Sequence, residues 1–298
     1  MEQQESDYFS MRVTSQAAGV VARVLARVHR DSARKFGFWY RLKTLMYPRW
    51  CSPIEWNPKI ALPNGATMGA PFGEIQGMSL ILDSCWEPEV TERLLTTLMP
   101  GDVFLDVGAN MGYYTLLASR LVGLEGLVVS FEPSPSNLRN LSINLAENKL
   151  SNVALVSLAL SDCTGIAKLW SAPYYNTGVC SLNTTSAAST SAFDWVATTR
   201  LDDLRGIRDL ATRARLLKID TEGAELQVLR GSSEFLQAST RLEIVCELSP
   251  SWCSSSDLVT YLAQFGYRGE FFSNGVWQSL EMSRPTVQCN AWFRRRTM

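Results

Sequence analysis

Histidine is almost missing from this chain: His29 is the whole supply in 298 residues. That removes multi-histidine metal sites and counts against a His-based catalytic triad. No uncharged run is both apolar and long enough to span a membrane. The longest uncharged stretch, Leu169 to Phe193, is rich in Ser, Thr and Asn. The chain starts with Glu2, Glu5 and Asp7, the wrong charge for a secretory signal. No C-x-x-C pair occurs among Cys51, Cys85, Cys163, Cys180, Cys246, Cys253 and Cys289. An odd, unpatterned set fits free thiols in a reducing cytoplasmic compartment. Excess charge is lacking too. The formal net charge is -1, so nothing draws the chain globally onto nucleic acid.

What is present is a large core: 46% hydrophobic residues against 19% charged. Residues 1–80 form an N-terminal extension, and 81–298 form the main domain. In the extension, Val20, Val21, Val24, Leu25 and Val28 share one helix face, and Arg23, Arg27, Arg30 and Arg34 share the opposite one. Such a helix packs its valines on the main domain, or it touches an anionic membrane surface or an acidic partner through residues 20–50. It could also serve as a lid or as the contact of a homo-oligomer. Prolines and glycines between Pro48 and Gly77 read as loops and hairpins. Met78–Asp83 reads as a short strand, and Glu87–Leu98 as a helix.

From Asp102 strands and helices alternate. The strands are Val103–Val107, Leu127–Phe131, Val153–Leu160, Leu216–Ile219 and Leu242–Leu248, with two more at Phe271–Phe272 and Ala291–Phe293. Between them come helices at Met111–Leu121, capped by Asn110, then after Ser134-Pro135, at Gly223–Leu236 and at Asp257–Phe265. This spacing means a parallel, doubly wound α/β sheet. The Ser/Thr/Ala tract Thr184–Ala192 reads as a loop overhanging the ligand edge of that sheet.

The informative segment is Asp106-Val-Gly108-Ala-Asn110-Met-Gly112, directly after a strand and opening a helix. Small residues let the backbone approach a ligand closely, and the helix start offers free N–H groups. Glu132, twenty residues past Gly112, ends the second strand. A carboxylate there can accept both hydroxyls of a ribose. The third glycine of a dinucleotide fingerprint is missing, and Asp106 would repel a pyrophosphate. The same acid suits the ammonium group of S-adenosylmethionine. Asp106, Gly108, Asn110 and Gly112 would face the methionine moiety, and Glu132 the ribose.

The stretches DVGANMGYYT (106–115), FEPSP (131–135), ALSD (159–162), TRLDDL (199–204) and LKIDTEGAE (217–225) resemble the signature of FkbM-type methyltransferases. The resemblance runs from about Cys85 to Leu248. It implies a Rossmann-like class I fold, a mostly parallel seven-stranded sheet whose last strand is antiparallel, with S-adenosyl-L-methionine as methyl donor. It also implies that Ser161 and Asp162 meet the adenine amino group, that Pro133 flanks the adenine face, and that Tyr113 and Tyr114 close over the cofactor or belong to the helix core. Trp86 and Glu87 match the pattern as acceptor-side residues.

A hydroxyl acceptor needs a base. The strand-end acids Asp220, Glu222 and Glu247 are the candidates, with Asp220 first as base or as positioner of the acceptor. The three could also gather a divalent metal, although no dedicated metal motif is present. The expected activity is O-methylation of a small-molecule or sugar hydroxyl in natural-product or glycan biosynthesis. The alternatives are N-methylation, a nicotinamide-dependent oxidoreductase, and a scaffold that has lost activity.

Overall fold

The computed structural model describes residues 57–71, 75–171, 180–182, 193–249, 255–273, 275–281, 285 and 288–295. The basic helix expected between Val20 and Arg34, with its membrane or acidic partner, and the 184–192 tract lie outside the described residues. The described residues divide between two compact units, the second beginning at Glu87.

The first unit holds a hairpin of β1 (Lys59–Ala61) and β2 (Thr67–Gly69), followed by helix α1 (Ile75–Asp83). Met68 and Leu80 are fully buried in it. Gly77 passes the Pro71 carbonyl so closely that a Cβ would lie 2.1 Å from the oxygen. Met78–Asp83, expected as a strand, is the end of α1. A short apolar run carries no period of its own, so strand and helix look alike in it.

The second unit opens with α2 (Pro88–Thr97), whose proline occupies the first turn. Then follow β3 (Val103–Val107), α3 (Tyr113–Val122), β4 (Leu127–Phe131), α4 (Pro135–Glu147) and β5 (Val153–Val156). After them come β6 (Ala159–Leu160), β7 (Gly165–Ser171), β8 (Cys180–Ser181), β9 (Phe193–Thr199), α5 (Arg205–Arg208) and β10 (Ala214–Ile219). The chain ends with α6 (Glu225–Arg230), α7 (Ser233–Ala238), β11 (Glu243–Leu248), α8 (Ser255–Ala263), β12 (Tyr267–Ser273), β13 (Val276–Ser279) and β14 (Cys289–Arg295).

The expected doubly wound, mostly parallel sheet is the centre of this unit. Its order is β13-β12-β14-β11-β10-β3-β4-β5. The five strands from β11 to β5 are parallel, and β14 runs against β11. An eighth strand, β13, extends the expected seven through a hairpin with β12. The chain winds outward from β3 to β5 and returns to β10 on the other side of β3. The switch point therefore lies between β3 and β10, where doubly wound sheets bind ligands at the strand ends.

Every residue of β3 is buried, as a central parallel strand requires. One face of the sheet (Leu105, Val129, Leu217, Ile244) packs with Val228, Phe235 and Leu258 of α6, α7 and α8. The other face carries Phe104, Val128 and Leu216 in register. Helix α3 covers that side, since Thr115 of α3 bonds Asp106, which alternates with Phe104.

Two expected elements are divided. Val153–Leu160 bends at Ser157-Leu158: β5 stays in the large sheet, while β6 joins a second sheet ordered β6-β9-β7-β8. Gly223–Leu236 is two helices, broken at Gly231-Ser232. Asp202 lies under that break and accepts hydrogen bonds from the Glu234 and Phe235 amides at 3.0 and 2.9 Å. The TRLDDL motif thus fixes a helix start.

Candidate functional site

The turn after β3 is held from two sides. The amides of Gly108 and Ala109 both donate to the Phe131 carbonyl at 3.0 Å. The Asn110 amide donates to Glu132 Oε2 at 2.7 Å, and the Ser134 amide to Glu132 Oε1 at 2.8 Å. Asn144 of α4 donates to the Met111 carbonyl at 2.8 Å. Gly108 has φ +80°, and a Cβ on it would stand 1.9 Å from the Asp220 carbonyl oxygen. Only glycine lets the two turns at the switch point touch. Asn110 was expected to cap α3. Instead it sits in the left-handed region at φ 51°, and the helix starts after Gly112, at φ 93°. Asn tolerates that conformation better than most residues.

A row of buried polar groups crosses the sheet beneath this turn. Ser130, Asp106 and Lys218 are register partners on adjacent strands. Thr115 Oγ1 donates to Asp106 Oδ2 at 2.6 Å and shares a hydrogen bond with Ser130 at 2.7 Å. Lys218 Nζ pairs with Asp220 Oδ2 at 2.8 Å and lies 4.7 Å from the centre of the Tyr114 ring. Tyr114 donates to Glu87 Oε2 at 2.6 Å, and Asn290 donates to Glu87 Oε1 at 2.9 Å. Burial opposes the charge on Lys218, but Asp220, Asp106 and Glu87 outweigh it and push its pKa above the usual value. Burial moves Asp106 and Glu87 upward, against the pull of Lys218. The sequence leaves Lys218 either on the other face of its strand or paired with an acid, and it pairs with Asp220; Glu87 is only a match to a pattern there. The signal for Lys218 was a lone cation inside the apolar run LLKI.

The second turn, after β10, is built by Glu225. Its Oε1 accepts the Thr221 and Gly223 amides at 3.0 and 3.1 Å, and the Thr221 hydroxyl at 3.1 Å. This bend presents Asp220 and Glu222, and Glu222 is held at φ 53°. Strained non-glycine residues of this kind gather at functional sites. Glu247, from β11, accepts a hydrogen bond from Gln288. Burial, then Asp220, then Glu247 push Glu222 up to about 10. Burial and Asp220 push Glu247 up to about 8. Asp220, Glu222 and Glu247 are thus electrostatically close. Even so, among the described residues no three His, Cys, Asp or Glu side chains form a group that could hold a metal ion.

The remaining expected residues fall in three places. Glu132 is buried, and burial pushes it up to about 7 despite its two amide donors. Pro133 follows it, half-buried. Ser161 and Asp162 do not end the third strand of the large sheet. They follow β6 in the small sheet, with the Ser161 amide on Thr199 and Asp162 exposed. Tyr113 is core: it is 1% exposed, its hydroxyl lies 3.1 Å from Thr91 Oγ1, and its ring meets Tyr114 edge-on. Two acceptors, Asp106 Oδ1 and Asn110 Oδ1, are buried with no hydrogen-bond partner among the described residues. A site with two such oxygens suits a donor-rich ligand such as an ammonium, so the residues fit an amino-acid-bearing nucleoside.

Residues 106–268 match the model of the methyltransferase FkbM domain, more than half of the chain. The chain belongs to the FkbM methyltransferase family. Its activity is S-adenosylmethionine-dependent methyl transfer. Among curated relatives of this FkbM protein is the hexuronic acid methyltransferase AglP of Haloferax volcanii. The two are 27% identical over 191 residues, 60% of this chain and 75% of AglP. The 31-O-demethyl-FK506 methyltransferase FkbM of Streptomyces tacrolimicus is 32% identical over 114 residues, 37% of this chain and 41% of that protein. A solved FkbM methyltransferase from Methylobacillus flagellatus aligns at 16% identity with a TM-score of 0.44, over 73% of this chain and 52% of that one. Among the described residues no helix is long and apolar enough to cross a membrane.

Proposed function

We propose that this FkbM enzyme methylates a hydroxyl of a sugar or sugar-like small molecule, and that Asp220 is the residue that receives the hydroxyl proton. The observation carrying the reading is the junction of the two turns at the switch point. Asp106, Asn110 and Glu132 gather acceptors on the first turn, and Asp220 starts the second, against Gly108. The similarity to a hexuronic acid methyltransferase supports a sugar acceptor. The similarity to the Streptomyces enzyme supports other natural products as well.

S-adenosylmethionine, when bound, supplies a methyl group on a positive sulfur that is already a good leaving group. Asp106 and Asn110 would hold its amino-acid end. The backbone at Gly108 and Gly112 would leave room for it. Glu132 would take a ribose hydroxyl on the lone pair that Asn110, Ser134 and Asn137 leave to its carboxylate, and Pro133, Ser161 and Asp162 would border the adenine.

The chain's own acids divide the remaining work. Asp220 is paired with Lys218, and its side chain is one-third exposed, at 33%. It is therefore fixed in direction and open on one side. Glu222 and Glu247, pushed up by burial, keep their protons near neutral pH and can donate to acceptor oxygens. Orientation of the acceptor oxygen is the main catalytic contribution, because the leaving group needs no help. The odd, unpatterned set of seven cysteines supports a reducing, cytoplasmic setting.

The test is methyl transfer from isotopically labelled donor to a panel of hexuronic acids, neutral sugars, alcohols and amines, read by mass spectrometry. Label on a sugar oxygen supports the reading, and label only on nitrogen refutes it. Asp220→Asn should lower kcat by about 100-fold or more, the scale of losing a general base, while donor affinity stays within a few-fold. Equal kcat in the variant would remove Asp220 from this role.

A further inference from the structure

The small sheet carries an aromatic face that no described residue outside the sheet covers. Strand β7 pairs antiparallel with β9, so that Lys168 faces Trp195 and Trp170 faces Phe193. Paired residues of antiparallel strands project to the same side. Trp195 is 65% exposed, Phe193 37% and Ile166 74%. Trp170 and Phe193 lie with ring centres 5.1 Å apart, and Phe193 and Trp195 5.8 Å apart. Lys168 Nζ rests among the three rings, 4.2 Å from the centre of Phe193 and 5.5 Å from those of Trp170 and Trp195. Among the described residues it makes no salt bridge. The opposite side of this sheet is ordinary core: Leu169, Val196 and Ala159. Core packing therefore does not explain the rings.

The face leads toward the acids. Trp170 pairs in turn with Ser181 of β8, whose hydroxyl donates to the Glu222 carbonyl at 2.8 Å. From Trp195 the paired side chains run through Phe193 and Trp170 to buried Ser181, which holds the strained Glu222 near Asp220. Along β7, Ile166 to Trp170 spans about 13 Å, longer than one sugar ring.

The geometry points to a glycan subsite: the rings of Trp195, Phe193 and Trp170 stack on the C–H faces of sugars in an acidic oligosaccharide, and Lys168 pairs with a carboxylate of that chain. The inference rests on the sugar-acceptor reading and extends it from a monosaccharide to a chain held beyond the reacting unit. Aromatic faces are electron-rich and attract the polarised C–H groups of a pyranose. Contiguous exposed apolar patches mark binding sites. Lys168, the single cation among the described residues of this face, decides the chemistry of the occupant. A nucleic acid would need a row of cations, and a neutral glycan would leave Lys168 without a counter-ion.

The probe is tetragalacturonate, compared with galacturonic acid and with neutral maltotetraose, followed by tryptophan fluorescence and by kinetics on the full chain. Tetragalacturonate should bind saturably. Trp195→Ala should weaken that binding about tenfold, with galacturonic acid unaffected. Lys168→Gln should reduce the preference for tetragalacturonate over maltotetraose. Circular dichroism checks that both variants keep the fold. Failure of tetragalacturonate to bind, or equal binding by Trp195→Ala, overturns the subsite. A dimer that Trp195→Ala splits, with no glycan binding, also overturns it and makes the face a contact between copies. The two readings fail separately. Trp195-dependent binding without methyl transfer to any sugar keeps the subsite and refutes the acceptor. Methyl transfer to galacturonic acid with no Trp195 effect does the reverse.

Discussion

Donor affinity should depend on pH through one buried carboxyl. Glu132 is pushed from 4.5 to about 7, chiefly by burial, in the free protein. To accept a ribose hydroxyl beside its three protein donors it must be ionised, so the bound form has a lower pKa. Below pH 7, binding then expels a proton, and affinity falls with acidification. From pH 8 to pH 5.5 the loss should be about thirtyfold, or about 2 kcal/mol. Titration calorimetry with S-adenosylhomocysteine at both pH values measures it directly. Repeating it in buffers of different ionisation heat should show close to one proton released at the lower pH. Thermal stability runs the other way. A raised carboxyl pKa favours the folded state at low pH, and that contribution is lost as pH rises through about 7. The donor-free protein should therefore lose stability from this group toward pH 8, while the ligand-induced rise in Tm grows. In Glu132→Gln one backbone amide, Asn110 or Ser134, faces an amide nitrogen instead of an oxygen. That costs about 1–3 kcal/mol, and the thirtyfold pH effect should vanish. A flat pH profile in the unaltered protein, or an undiminished one in Glu132→Gln, refutes the argument.

Gly108→Ala should cost several kcal/mol or prevent folding, because its Cβ would lie 1.9 Å from a backbone oxygen; denaturant midpoints measure it. Asp202→Ala removes the acceptor of two helix-start amides. Stability should drop by about 2 kcal/mol, with donor affinity unchanged in calorimetry. Glu247 is pushed up to about 8, so its contribution to stability is present below pH 4.5 and declines as pH rises through 8. Glu247→Gln should therefore flatten the Tm profile between pH 5 and 9, and a profile as steep as the parent's would count against the assignment.

The strand-helix alternation, the glycine turn and Glu132 were readable because each rests on local pattern. A buried parallel strand is a continuous apolar run, and VFLDV shows it. The divided elements were not readable. Nothing inside Val153–Leu160 says that its last two residues pair with Thr198 and Thr199 instead of β4. The buried ionic row was equally hidden, since Glu87, Asp106 and Lys218 are far apart in sequence and meet only through strand register. Tyr113 and Tyr114 look equivalent in the motif. Helix packing sends one hydroxyl to Thr91 and the other to Glu87. The exposed rings of the small sheet were passed over because half of their ladder flanks an insertion of Ser, Thr and Ala.

The contact between Gly108 and the Asp220 carbonyl makes the two turns at the switch point mechanically one. The Asp220 amide also donates to the Val107 carbonyl at 2.9 Å, so the peptide unit that aims the acid is clamped to the strand that ends in the glycine turn. Neither can drift without dragging its neighbour. Outlying strands can be remodelled without touching it, but this seam has to stay as it is.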